Sequence, residues 1–129
     1  MSSFSPIQRK MLANLEEAGE ESLTALLNVV TTHRRSPEDA HSYQEALGDL
    51  LSRDLVELAR SRDAQTRHWV PLPKSEAVAI VAQLGRLIRW SAPDQLWKWT
   101  AEEPRIQILT TDAGMAAVLA VLSEDGWPD

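Results

Sequence analysis

Apolar positions at helical spacing dominate the first part of the chain. Ile7, Met11, Leu12 and Leu15 fall on one face of a helix predicted over 6–18. Ser5 stands before Pro6 and three residues before Gln8, which is a capping-box pattern with proline in the first turn, and Gly19 supplies a stop. Leu23, Leu26, Leu27 and Val30 repeat at i, i+3, i+4, i+7 and predict a second helix over 22–33. The stretch "SPEDA" opens a third helix over 36–53. Ser36 is its cap, Pro37 suits the first turn, and Glu38 and Asp39 complement the helix dipole. Its buried stripe is Ala40, Tyr43, Leu47, Leu50 and Leu51, which leaves His41, Ser42, Gln44, Glu45, Gly48 and Asp49 facing away.

The pattern then changes. "LVELA" and "RHWVPLP" are short β-type runs around a polar loop, which predicts a hairpin of 55–60 with 67–72. Pro71 and Pro73 place its second strand at an edge. A fourth helix is predicted over 75–90, with Ala77, Ile80, Val81, Leu84, Leu87 and Ile88 inward and small residues that permit close helix packing. "QLWKWT" and "RIQILT" are expected to pair with each other or to join the first sheet. A last helix follows over 111–123, with "WPD" as a tail.

These elements describe an α+β fold, mainly α. Helix, helix, helix, hairpin is the order of a winged helix-turn-helix. The stretch "RIQILTTDAGMAAVL" is similar to the "L-T-x-x-G" passage in which a last wing strand enters the next helix. On this basis the chain resembles the small bacterial and phage winged-helix regulators, in the loose manner of the PadR and MarR groups. The expected division is a winged helix-turn-helix over 1–73 and a helix–hairpin–helix extension over 74–129. Residues 105–110 have two possible homes: the true second wing strand after a long insertion, or a C-terminal subdomain. Loop-length statistics favour the second, because a six-residue hairpin loop is ordinary and an insertion of this size inside a wing is not.

Charge limits the functions available. The net charge is −6, with two bases and four acids over 1–32, seven of each over 33–74, and four bases and eight acids over 75–129. That balance argues against indiscriminate nucleic-acid binding and leaves the neutral middle as the place for a local basic ridge. The chain has no cysteine, which excludes disulfides, thiolate metal sites and cysteine nucleophiles. No apolar run reaches membrane-spanning length and "MSSFSPIQRK" lacks a signal-peptide core, so a cytoplasmic location is expected. There is no Gly-rich phosphate loop, no zinc-like histidine spacing and no nucleophile elbow, so neither an enzyme nor a cofactor or metal is expected.

The resemblance implies a sequence-specific DNA-binding transcriptional regulator acting as a homodimer through 75–90 and 111–123. The third helix would offer His41, Ser42, Gln44 and Glu45 to base edges, with Arg34 and Arg35 just before it. The wing would offer Arg60, Arg62, Arg67 and His68 to phosphate. Glu38, Asp39, Glu45 and Asp49 oppose this, since each would meet a phosphate-rich groove. The alternative is a protein-binding module, or a small phage- or plasmid-encoded inhibitor, on a winged-helix scaffold. It would use an acidic surface or the face carrying Trp97 and Trp99.

Overall fold

A computed structural model describes residues 4–18, 20–30, 37–61, 69–100 and 106–125. Its helices are α1 (Pro6–Ala18), α2 (Leu23–Val30), α3 (Pro37–Ser52), α4 (Lys74–Ala82), α5 (Leu84–Leu87) and α6 (Asp112–Asp125). Its strands are β1 (Glu20–Ser22), β2 (Val56–Ser61), β3 (Trp69–Pro71), β4 (Ile88–Ser91), β5 (Leu96–Trp99) and β6 (Ile106–Thr110). The chain is α+β, with antiparallel sheets, as expected from its patterning.

The capping box forms. Ser5 N donates to Gln8 Oε1 at 3.0 Å and Gln8 N to Ser5 Oγ at 3.2 Å, which satisfies two N–H groups at the start of α1. Ser22 caps α2 by accepting from Ala25 N at 3.1 Å. The three N-terminal helices enclose a core of Met11, Leu12, Leu15, Leu26, Leu27, Leu47 and Leu50. Tyr43 lies fully inside it, and its hydroxyl donates to Leu23 O at 2.8 Å. Burial pushes that hydroxyl's pKa far up, so it stays protonated and serves as a structural donor.

The main sheet has the order β1-β6-β2-β3. The predicted hairpin is present, with Ala59 opposite Pro71 and Ser61 opposite Trp69. Pro71 lies on an edge strand, where a missing N–H is tolerated. The sequence reading that placed 105–110 in a C-terminal subdomain is corrected here. β6 is an interior strand, with Leu109 opposite both Glu57 of β2 and Glu20 of β1. The alternation of Ile106 and Ile108 explains the placement: both are buried, as an interior strand with one core-facing side requires. Strand β1 has no apolar pattern and is placed by its pairing with β6.

The segment between β3 and β6 also departs from expectation. The helix predicted over 75–90 ends at Ala82, makes one more turn as α5, and turns extended at Ile88 with φ −125° and ψ 156°. β4 then pairs with β5, Trp90 opposite Trp97 and Ile88 opposite Trp99. The Trp90 and Trp97 rings meet edge to face at 5.5 Å. Cross-strand aromatic pairing outweighs the local helical spacing of Leu84, Leu87 and Ile88. The segment thus runs as a helix divided into α4 and α5, the β4–β5 hairpin, a strand of the main sheet and α6.

Helix α4 runs back along α3. Gln44 Nε2 donates to Ala82 O at 2.9 Å, and Lys74 Nζ donates to Ser52 O at 3.4 Å. The ribbon is pinned to α2 by one side chain: Asn28 Oδ1 accepts from Trp97 N at 2.7 Å and Asn28 Nδ2 donates to Trp97 O at 3.1 Å.

Candidate functional site

The third helix carries one open stripe. Glu38, His41, Ser42, Glu45 and Asp49 are exposed at i, i+3/i+4 spacing, while Tyr43, Ala46, Leu47 and Leu50 face the core. Three of the five open side chains are carboxylates. His41 Nε2 lies 3.0 Å from Glu45 Oε1, so the imidazole is engaged along the helix. Asp49 accepts from Gln8 Nε2 at 2.8 Å and pairs with Arg53 at 3.3 Å. Arg53 also stacks on Phe4, 4.4 Å from the ring centroid, so the cation at this end is held on its own helix and on the N-terminal segment.

Gln44 differs from its expected role. It is half-buried between α3 and α4, and its amide is spent on the Ala82 carbonyl. That bond commits one of the two Nε2 hydrogens and ties the side chain to α4, beside the open stripe. The reason is tertiary: the residues at 44 and 48 form the flank on which α4 lies, and Gly48 leaves room for Val81. His41, Ser42 and Glu45 remain on the open stripe, as expected from the periodicity.

Of the basic positions, Arg60 is exposed on β2, 3.7 Å from Glu76 of α4. Arg34, Arg35, Arg62, Arg67 and His68 lie outside the described residues.

The tryptophans of the β4–β5 ribbon face inward. Trp97 is 6% exposed and belongs to the core, and Trp99 is half-buried against it. The predicted aromatic partner surface at Trp97 and Trp99 is thus the inner face of the β4–β5 ribbon. Alternation places Trp90, Trp97 and Trp99 inside and Arg89 and Lys98 outside. Among the described residues, the buried indole Nε1 groups of Trp69, Trp97 and Trp99 meet no hydrogen-bond acceptor.

Two further surface features lie away from the α3 stripe. A cleft of about 150 Å³ opens between β2, α4 and the start of α6, with Leu51, Leu58 and Leu72 as its floor. At its mouth Lys74 and Asp54 pair at 2.8 Å, so the rim charges satisfy one another. The second feature, missed in the sequence, is the outer face of the ribbon. Arg89 and Lys98 are exposed there, directly opposite one another, and Arg86 is exposed on α5 just before β4. The signal was available as charge: between Ala77 and Thr100 these three bases meet a single acid, Asp94.

Among the described residues, no group of three or more His, Asp or Glu side chains is placed to hold a metal ion, and no helix is long and apolar enough to cross a membrane. Comparison of the chain with protein-family models, with curated proteins and with solved structures gives no match.

Proposed function

We propose that this chain is a protein-binding module on a winged-helix-type scaffold, and that a basic partner surface docks on the open stripe of α3. The observation that carries the reading is the stripe itself. It presents Glu38, Glu45 and Asp49 to solvent, while Gln44 is tied to α4 and Arg53 to Asp49 and Phe4. A helix with that face repels phosphate and attracts lysine- and arginine-rich protein surface. The scaffold reading rests on element order. Helix α1, strand β1, helices α2 and α3, strands β2 and β6, then helix α6, with β6 between β1 and β2, is compatible with the order of a winged helix. In it the β3–β5 segment replaces a simple wing tip.

The module works as a homodimer. Val78, Ala79 and Ala82 on α4 and Met115, Ala116 and Ala120 on α6 are exposed and uncharged, which suits self-association. Sedimentation at micromolar concentration should give twice the chain mass, and a monomer would remove this part of the proposal.

The test of the docking surface is affinity capture from lysate followed by direct binding of the purified partner. One stoichiometric protein should be retained by the wild type, released by salt, and lost with Glu38→Lys/Glu45→Lys. Equal retention by the reversed variant would sink the reading.

A second reading, a DNA-binding regulator, is favoured by the exposed Arg60 at the end of β2, which leads into a sequence bearing Arg62, Arg67 and His68. Under it Arg62→Ala/Arg67→Ala should weaken binding to all sequences alike and reduce the salt slope by roughly 0.9 per lost phosphate contact. Unchanged affinity and slope would exclude the wing.

A further inference from the structure

We infer that the outer face of the β4–β5 ribbon is a second interaction surface, and that its occupant is the backbone of a nucleic-acid duplex. The inference is independent of the acidic stripe and of the wing. It rests on three placements. First, Arg86 and Arg89 are exposed and form no ion pair with any described residue, whereas Arg53, Arg60, Lys74 and Lys98 all do. Second, the register sets Arg89 opposite Lys98, so two cations leave the same face of the ribbon from neighbouring strands, with Arg86 just before β4. Third, the ribbon's other face is anchored through Trp97 and Asn28, so these cations project from a fixed platform.

The chemistry selects the occupant. A two-stranded antiparallel ribbon fits the major groove with one face toward the nucleic acid and the other packed on its own protein. Guanidinium groups match phosphate oxygens two by two. Asp94 at the tip is the one acid of the ribbon. Its carboxylate is taken up by Lys98 and Ser91, which, with Arg89 nearby, hold its pKa below the usual carboxylate value. Lys98 is therefore partly neutralised, and Arg86 and Arg89 carry the surface. The overall charge of −6 acts against a polyanion at long range, but this repulsion is screened beyond about 10 Å at 0.1 M salt while contact pairing persists.

The experiment is fluorescence anisotropy of a labelled duplex of mixed sequence, titrated with the full chain at 50 mM and 200 mM salt. Two to three neutralised phosphates predict a slope of about −1.8 to −2.7 in log–log form, a loss of roughly 10- to 40-fold in affinity between the two salts. Arg86→Ala/Arg89→Ala should abolish most of the binding and flatten the slope, with unchanged circular dichroism. Arg60→Ala should leave binding as it is. Glu38→Lys/Glu45→Lys, which tests the docking stripe, should not reduce duplex binding, so the two ideas fail separately. The inference is overturned by no binding at 50 mM salt. It is overturned equally by a ribbon variant that binds like the wild type, or by a polyglutamate chain that competes as well as unlabelled duplex, which would make the occupant an acidic protein.

Discussion

Gly114 sits where α6 crosses the start of β2, and replacing it by alanine should reverse the usual effect of that substitution in a helix. A Cβ built on Gly114 lies 1.8 Å from Leu55 O and 2.9 Å from Leu55 C, both backbone atoms. Unbonded carbon and oxygen come no closer than about 3.3 Å, so the helix must retreat by roughly 1.5 Å. The same junction holds two hydrogen bonds. Thr111 N donates to Leu55 O at 3.1 Å, and Thr111 Oγ1 donates to Asp54 O at 2.6 Å. A retreat of that size stretches both beyond useful length, at about 0.5–1.5 kcal/mol each. Overpacking adds about 1–3 kcal/mol, and the helix propensity of alanine returns about 1 kcal/mol. The net expectation is a loss of about 1–5 kcal/mol. In urea, followed by tryptophan fluorescence and circular dichroism, the midpoint should fall by roughly 0.5–2.5 M with little change in slope. Gly48 is the control. It lies inside α3, and an added Cβ would rest 3.9 Å from Val81 Cγ1, an ordinary contact. Gly48→Ala should therefore raise stability by up to about 1 kcal/mol. A Gly114→Ala protein as stable as the wild type would refute the close approach of α6 to Leu55.

Ser5→Ala removes the acceptor of the Gln8 N–H and should cost about 1 kcal/mol, read as a lowered thermal midpoint. Asn28→Ala leaves the Trp97 N–H and C=O without their pins, so amide exchange at Trp97 should accelerate while exchange in β2 and β6 stays slow, at a stability cost of about 1–3 kcal/mol. The Asp94 carboxyl should titrate below its ordinary value of 3.8, mainly through its hydrogen bond from Lys98 and next through that from Ser91. Its folded pKa is depressed, so its contribution is present above the unfolded pKa and fades as pH falls through the folded one. Carbon-detected NMR of the side chain should show this, and Lys98→Met should move the midpoint back up.

The elements that were legible in the sequence are those decided by their own residues. The α1 cap needs only Ser5 and Gln8, α3 needs Glu38 and Asp39 in its first turn and five apolar positions, and the β2–β3 hairpin needs alternation and a proline at the edge; the expected Ser36 cap lies outside the described residues. What was not legible depends on partners far along the chain. "EES" becomes a strand because β6 supplies its hydrogen bonds. Residues 88–90 are compatible with helix or strand, and the Trp90–Trp97 pairing decides. In the same way the periodicity put His41, Ser42 and Glu45 on an open face, but only the packing of α4 shows that Gln44 is withdrawn from it. The inward turn of Trp97 and Trp99 follows from pairing with β4, which a single-strand reading does not contain.

The central position of β6 also bears on how the protein is made. β1 and β2 are neighbours in the finished sheet only through β6, because Leu109 lies between Glu20 and Glu57. Closing a chain segment of roughly 90 residues costs on the order of 4 kcal/mol beyond the constant term, before any ladder bond is gained. On a ribosome, the N-terminal helices and the β2–β3 hairpin leave the exit tunnel well before the strand that joins them. During that interval both β1 and the inner edge of β2 stand open, and open edges recruit foreign strands. Emergence of β6 is then the event that closes the sheet. Truncations that stop short of Thr110 should accumulate as aggregates, not as shortened but native protein.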